Sequence, residues 1–276
     1  MNASWNHRAP PLVLVPMIRN LKDIALEFVI FGIQQARASI FAGSFLVLLF
    51  LSNYLPLFGL ARYDFLFLSA ILIQAVLYVC KLETLNEIKV IFLFHLIGFM
   101  LELYKTSPAI GSWSYPEEAF FKIATVPLFS GFMYAAVGSY ISLSWKYMRL
   151  SLTQAPPYTL SIALSVLIYL NFFTHHFLPD FRYLLMLLVL IVFLRTRVYF
   201  TVLKKRRWMY MNVAFFLIAF FIWIAENIST YFGAWKYPDQ IHAWTLVSVG
   251  KISSWSLLVI ISFIIVAYLK HYRASH

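Results

Sequence analysis

The residues with most chemical potential in this chain are two glutamates, each near the end of an apolar, helix-length run. Glu102 leads into Gly111-Ser-Trp113-Ser-Tyr115-Pro116-Glu117, and Glu226 into Gly233-Ala-Trp235-Lys-Tyr237-Pro238-Asp239. The shared form is Glu, a spacer, then Gly-x-Trp-x-Tyr-Pro-acid. The first spacer is two residues longer, an insertion assigned to Ala109-Ile110 or their equivalent. Six matched positions, several of rare residue type, read as a duplicated unit with two polar sites. Ionisable groups at membrane depth are costly and face the protein interior or a wet cavity. A carboxylic acid that keeps its proton in a dry pocket is a general acid. The bland alternative is that each Glu caps loop amides or pairs with a lysine.

Lys122 and Lys251 each follow a motif on the next helix, so Glu102–Lys122 and Glu226–Lys251 are the ion pairs to expect. Lys251 follows its motif acid by 12 residues and Lys122 by 5. Lys251 is therefore expected in the interior, where a lysine needs a partner or loses its proton, and Lys122 is left open. His95 lies seven residues before Glu102, on the same helix face, and reads as a proton relay or as a packing histidine. Asn227, Ser229 and Thr230 follow Glu226 and are placed to hydrogen-bond it. The adjacent His175-His176 are not spaced to aim at one ion from a helix, and Cys80 is the only cysteine. There is no phosphate loop, dinucleotide fingerprint or nucleophile elbow, so no metal or cofactor is expected.

The chain holds 27 Phe, 17 Tyr and 8 Trp. Most pack helices or face lipid, and the motif loops also look like well-packed hairpins in an outer aromatic belt. Aromatic faces beside buried acids nevertheless suit one reaction. Protonating an alkene creates a carbocation, which ring faces stabilise. Trp113, Tyr115, Trp235 and Tyr237, with Asn227, are the expected substrate-binding residues. Glu102, Glu226, Lys251 and His95 are the expected catalytic ones.

Membrane helices must position these residues. The chain is 62% hydrophobic and 12% charged, against about 25% charged in a soluble domain. Apolar runs of about 20 residues suffice to span a bilayer. They recur at 38–56, 61–80, 88–105, 119–141, 158–177, 181–200, 209–229 and 244–269. The expected fold is an all-α integral membrane protein with about eight transmembrane helices in two halves. Residues 1–37 form a cytoplasmic N-terminal segment. Within it, 19–37 mixes Arg19, Lys22, Asp23, Glu27 and Arg37 with apolar residues, as an interfacial helix does. Pro10, Pro11 and Pro16 do not fit a cleavable signal peptide. Residues 38–276 form one helical domain, with halves at about 38–150 and 151–276. The motif helices are the third and seventh, an even step apart. The halves are then related by an axis along the membrane normal, not one in its plane. With eight crossings, 16 of the 22 Lys and Arg share the side of both termini. The positive-inside rule makes that side cytoplasmic, and the motifs face outward. Anionic lipid accounts for the net charge of +11 without nucleic acid.

Thr106-Ser-Pro108, Trp113-Ser-Tyr115-Pro116-Glu117 and Val126-Pro127-Leu128 together resemble the YoaT-like family of bacterial multipass membrane proteins, a family of unknown function. That resemblance runs through most of the chain. The segment 106–128 is more distantly similar to the membrane lycopene cyclases and carotenoid hydratases, where Thr-Ser-Pro, Trp-x-Tyr and Val-Pro-apolar occur in similar order. Those enzymes protonate polyene double bonds, so the resemblance implies acid-assisted isoprenoid chemistry. One departure limits it. The cyclases carry two acids shortly after the Pro, where this chain has Phe129-Ser130. Lycopene cyclisation is thus not implied, and Glu102 and Glu226 would have to supply the acid.

The leading expectation is an enzyme of the bacterial plasma membrane that modifies an isoprenoid or other lipid by general-acid chemistry. Its cavity would open to the outer leaflet, lined by both glutamates and the motif aromatics. One alternative is a transporter or binding protein for a small or lipidic solute. The other is a structural or assembly protein in which the motifs only lock helices. The expected partners are membrane lipids and a hydrophobic or lipid ligand.

Overall fold

The computed structural model describes residues 21–274, so Arg19 and the proline-rich stretch with its signal-peptide question lie outside the described residues. Among the described residues the chain is mostly helical. It runs α1 (Leu21–Ala38), α2 (Ile40–Leu51), α3 (Arg62–Val79), α4 (Leu85–Lys105), β1 (Lys122–Ile123), β2 (Val126–Pro127) and α5 (Ser130–Met148). It continues through β3 (Ser151–Thr153), α6 (Tyr158–Thr174), α7 (Arg182–Val192), β4 (Arg197–Val202), β5 (Lys205–Tyr210), α8 (Met211–Tyr231) and α9 (Lys251–Ala274).

Three helices, α3, α8 and α9, are long and apolar enough to cross a membrane, or four if α1 and α2, bent by 71°, count as one broken span. The expected eight crossings are not supported, for physical reasons that differ along the chain. The first run, 38–56, yields only the 12-residue α2. Helices α6 and α7 have 17 and 11 residues, roughly 26 and 17 Å at 1.5 Å per residue, against a hydrocarbon core of about 30 Å. Helix α4 is 21 residues long but carries Glu87, Lys89, Glu102 and Lys105. The run 119–141 is broken by the β1–β2 hairpin, with Ala124 at φ 52. Pro127 lacks an N–H to donate, and α5 starts only at Ser130.

The run 181–200 also splits. From Val198 to Val202 the residues are β-branched or aromatic, a strand composition. Strand β4 pairs with β5 through the turn Leu203-Lys204, where Leu203 has φ 56. Strand β3 adds on the other edge of β4. This sheet gathers Arg197, Lys205, Arg206 and Arg207 into one basic layer. Helix α1 packs on it: Glu27 takes Lys205 Nζ at 2.8 Å and Arg207 Nη2 at 2.9 Å. Gln34 Nε2 donates to Thr201 O at 3.2 Å. The opposite face of α1 exposes Phe28 and Val29.

Helix α9 is the centre of the bundle. Two-thirds of its apolar window is buried (67%), against 33% in α3 and 28% in α8. Leu257, Ile260 and Phe263 of α9 share a core with Ile141, Ile168, Val189 and Phe215 of the surrounding helices. The outer faces of α3 and α8 leave Leu72, Val79, Phe216 and Phe221 exposed, an apolar coat that marks a membrane-facing surface. A second core joins α2 and α3 to the motif loops through Phe41, Tyr63, Leu66 and Phe129. Helices α4 and α5 approach closely at glycines. A Cβ at Gly98 would lie 2.3 Å from the Tyr134 ring, and one at Gly138 would lie 2.3 Å from Phe94.

Candidate functional site

Helices α4 and α8 end in the same way. Each chain reversal uses a left-handed glycine, Gly111 at φ 58 and Gly233 at φ 73, a conformation that costs glycine little. Ser112 N donates to Lys105 O at 2.8 Å, and Ala234 N to Ser229 O at 2.9 Å. Lys105 and Ser229 each stand three residues after a glutamate, so the two closures match. The two extra residues of the first spacer are taken up in a turn, where Ile110 N and Gly111 N both donate to Ser107 O.

The two loops then meet. Ser114 and Lys236, the middle residues of the Trp-x-Tyr triplets, exchange both backbone hydrogen bonds at 2.9 Å in an antiparallel bridge. Such a pair has local twofold symmetry. It sets Trp113 opposite Tyr237, with ring centroids 6.1 Å apart.

Each glutamate is enclosed by aromatic donors. Glu102 is 2% exposed. Its Oε2 accepts from Trp113 Nε1 at 2.7 Å and Tyr115 OH at 2.8 Å, and its Oε1 from Tyr134 OH at 2.7 Å. Glu226 is 3% exposed. It accepts from Tyr237 OH at 2.5 Å and from Trp255 Nε1 at 2.7 Å. The Tyr134 and Trp255 rings lie 6.2 Å apart, so the two acids share an aromatic wall. Burial, then the neighbouring glutamate, pushes the Tyr115 and Tyr237 hydroxyls well above the ordinary tyrosine range. Both therefore stay protonated and serve as donors. The Lys251 ammonium rests over the faces of Tyr237 and Trp113, at 4.3 and 5.6 Å from the ring centroids, within cation–π range.

Arg62, at the start of α3, fastens the two loops from outside. It pairs with Glu117 of the first motif. It also donates to Phe232 O at 2.9 Å and Gly233 O at 2.7 Å beside the second. Asp64 accepts from Phe120 N and Phe121 N at 2.8 Å.

Residues 27–263, which include both motifs, match a family model described as a protein of unknown function, DUF817. The chain belongs to the DUF817 family. It is 50% identical over 247 residues to the "Uncharacterized protein YoaT" of Bacillus subtilis (strain 168), covering 90% of this chain and 93% of that protein. No solved structure matches it. A likeness to the lycopene cyclases is not shown by these comparisons.

Several expected roles change in this DUF817 chain. His95 does not reach Glu102: seven residues amount to about 10.5 Å of helix rise. Its ring instead packs among Phe92, Phe99 and Phe132. Lys122 donates to the carbonyls of Tyr115 and Glu117 at 3.3 Å, not to Glu102. Among the described residues, Lys251 forms no ion pair with Glu226. Asn227 holds Trp223 O at 2.8 Å and accepts from Val247 N at 2.9 Å, tying α8 to the loop before α9 instead of binding Glu226. Trp235 is buried beside Tyr115 and Tyr237, but the indole on Glu226 belongs to Trp255. The open cavity is replaced by packed side chains. Beside them lies a gap of about 10 Å³ lined by Gly98, Leu101, Tyr134, Leu258 and Ile261, room for one water. His175 and His176 do aim at one cation: their Nε2 atoms lie 3.2 and 2.8 Å from Lys105 Nζ.

Sequence reasoning missed Tyr134, Trp255 and Arg62. A signal existed for the first two. Tyr134 follows Tyr115 by 19 residues and Trp255 follows Tyr237 by 18, intervals that differ by one.

Proposed function

We propose that this DUF817 protein is a membrane-embedded enzyme that modifies an isoprenoid or other lipid by general-acid chemistry at Glu102 and Glu226. One observation carries the reading. Two nearly unexposed carboxyl groups take all their side-chain hydrogen bonds from Tyr and Trp, and an ammonium lies on the ring faces of the same wall. That wall favours positive charge and excludes water from the acid.

In the proposed step, a protonated glutamate gives its proton to one alkene carbon. The π pair becomes the new C–H bond, and the adjacent carbon carries the positive charge against the aromatic rings. A neighbouring C–H then gives its proton to the other carboxylate, which leaves a shifted alkene. Where a second double bond of the same chain first attacks the cation, its π pair forms the ring C–C bond and the proton is lost from beside the new cation. Capture by water with loss of its proton gives an alcohol instead. The gap beside Tyr134 has room for one water only, so an alkene enters only when α4 and α9 part there. The test is mass spectrometry of lipids extracted from the gently purified protein, wild type beside the Glu102→Gln/Glu226→Gln double variant. A defined isoprenoid or lipid that differs chemically between the two supports the reading. Bulk phospholipid alone in both speaks against it.

A second reading rests on Lys251. An ammonium seated on Trp113 and Tyr237 is what a bound organic cation would look like, and it favours binding or transport of a small cationic solute. It predicts pH-dependent flux into proteoliposomes with the solute unchanged. A third rests on the full set of donors around each acid, which suits a structural lock. It predicts large stability losses on Glu→Gln and no co-purifying ligand.

We also infer that both termini face the cytoplasm, that the motifs face outward, and that six segments cross the bacterial plasma membrane: the broken span α1–α2, α3, α4, α5, α8 and α9. Support comes from the gathering of α1 with the basic sheet, away from the Ser114–Lys236 bridge at the other end of α8. Further support comes from partners for the charges of α4: Lys270 for Glu87, aromatic donors for Glu102, and imidazoles for Lys105. We read the matched loop closures as the trace of a duplication about an axis along the membrane normal.

A further inference from the structure

We propose that Lys105, His175, His176 and Arg182 form a binding site for the phosphate headgroup of an anionic lipid, at the outer end of α4. The site goes beyond the acid chemistry at the glutamate pair and stands without it. Lys105 is 4% exposed, and its hydrogen-bond partners are two imidazoles. His175 Nδ1 lies 2.9 Å from Asn171 O, so that nitrogen carries the proton and Nε2 accepts from Lys105. Neither partner brings negative charge. Asp180 is the carboxylate whose field reaches Lys105. It is already held by Arg182 Nη2 at 3.0 Å, Arg182 N at 2.9 Å and Asn171 Nδ2 at 3.2 Å. Arg182 and Lys251 add further positive charge around the same ammonium.

A buried ammonium with too little counter-charge is costly, and a phosphate supplies what is missing. Its oxygens accept from the lysine ammonium and from the Arg182 guanidinium N–H groups that do not hold Asp180, both charge-assisted bonds. The exposed His176 ring forms the way in. The rim of the site argues for a lipid over free phosphate. Phe177, Leu178 and Tyr183 are 76%, 55% and 73% exposed beside it, an apolar border suited to chains at the membrane interface.

The experiment titrates the detergent-purified full chain with dioctanoyl phosphatidic acid, dioctanoyl phosphatidylcholine and inorganic phosphate, read by native mass spectrometry. Phosphatidic acid should bind roughly tenfold tighter than either comparator, the scale of one charge-assisted bond. Lys105→Met and Arg182→Gln should each weaken it by about that factor, and Lys105→Arg should recover most of it. Arg182→Gln decides alone if Lys105→Met does not fold. Binding of phosphatidic acid should persist in Glu102→Gln/Glu226→Gln, which separates this site from the acid chemistry. Unchanged phosphatidic acid binding in Arg182→Gln, or equal binding of phosphatidylcholine, overturns the site. Inorganic phosphate binding as tightly as phosphatidic acid overturns the lipid assignment.

Discussion

Replacing Glu102 by Gln and by Leu separates its chemistry from its packing. Gln keeps the shape of the carboxyl group. With its carbonyl oxygen in the Oε2 place it still accepts from Trp113 Nε1 and Tyr115 OH. Its amide then faces Tyr134, whose hydroxyl can turn and accept. One bond reverses and none is lost, at a cost of about 1 kcal/mol. Leu accepts nothing and strands three buried donors, each costing about 1–3 kcal/mol, so the loss is roughly 3 kcal/mol or more. For a chain of this size about 1 kcal/mol moves the unfolding midpoint by roughly 2–4 °C. The midpoint of Glu102→Gln should therefore fall by at most about 4 °C, and that of Glu102→Leu by at least about 6 °C. Intrinsic tryptophan fluorescence during heating in detergent reads both. Under the acid reading, Glu102→Gln stays folded yet yields none of the modified lipid, because an amide has no comparable proton to give. Equal destabilisation in the two variants would show that the carboxylate holds the fold, and full conversion by Glu102→Gln would remove it as the acid.

Gly98→Ala places a Cβ 2.3 Å from the Tyr134 ring and should cost about 1–3 kcal/mol by overpacking; a wild-type melting curve would contradict the close α4–α5 approach. Arg62→Gln removes the pair with Glu117 and the clasp on two carbonyls. Amide exchange should then quicken in residues 112–118 and 232–238 but not in α9, and equal exchange in both loops before and after substitution would count against the clasp. Burial first, with the Lys105 charge adding to it, holds His175 and His176 below the ordinary imidazole range. Their neutral forms contribute stability that is fully present above the unfolded value of about 6.5 and is lost as pH falls through the folded ones. The part of the melting midpoint that the two imidazoles carry should be flat from about pH 8 to 7 and decline below about 6. His175→Gln/His176→Gln should remove part of that decline, and an identical decline in that variant would refute the assignment.

The site was legible in the sequence as far as residue type carries information. Two acids in apolar runs, each followed by Gly-x-Trp-x-Tyr-Pro, announced where polar groups must be satisfied away from water. The structure does satisfy them with Trp113, Tyr115 and Tyr237. Tyr134 and Trp255 were illegible because a lone aromatic on an apolar helix looks the same whether it faces lipid, core or a carboxylate. The span count went astray for a related reason. Hydropathy reads composition and not the path of the chain, so the hairpin at Ala124 and the strands from Arg197 were hidden inside apolar runs. Helix geometry hid the meeting of His175 and His176 at Lys105. Adjacent residues on a helix point about 100° apart, but His175 is the C-cap of α6 and His176 lies beyond it. Freed from helical spacing, both rings turn to Lys105.

The difference between the two glutamate sites argues more strongly than their likeness. A duplicated brace would gain nothing from changing its parts, since each acid needs only donors. Yet Glu102 has two phenols and one indole, whereas Glu226 has one of each. Four residues before Trp255 stands Lys251, on the aromatic faces. Four residues before Tyr134 stands Ser130, fully buried with an unpartnered hydroxyl. One half therefore places a cation where the other places a small polar group. Carboxylic acids in unlike surroundings divide the labour of giving and taking a proton, which a symmetric lock has no use for. The asymmetry favours chemistry or charge transfer over bracing, and Lys251→Ser is the substitution that would make the halves more alike.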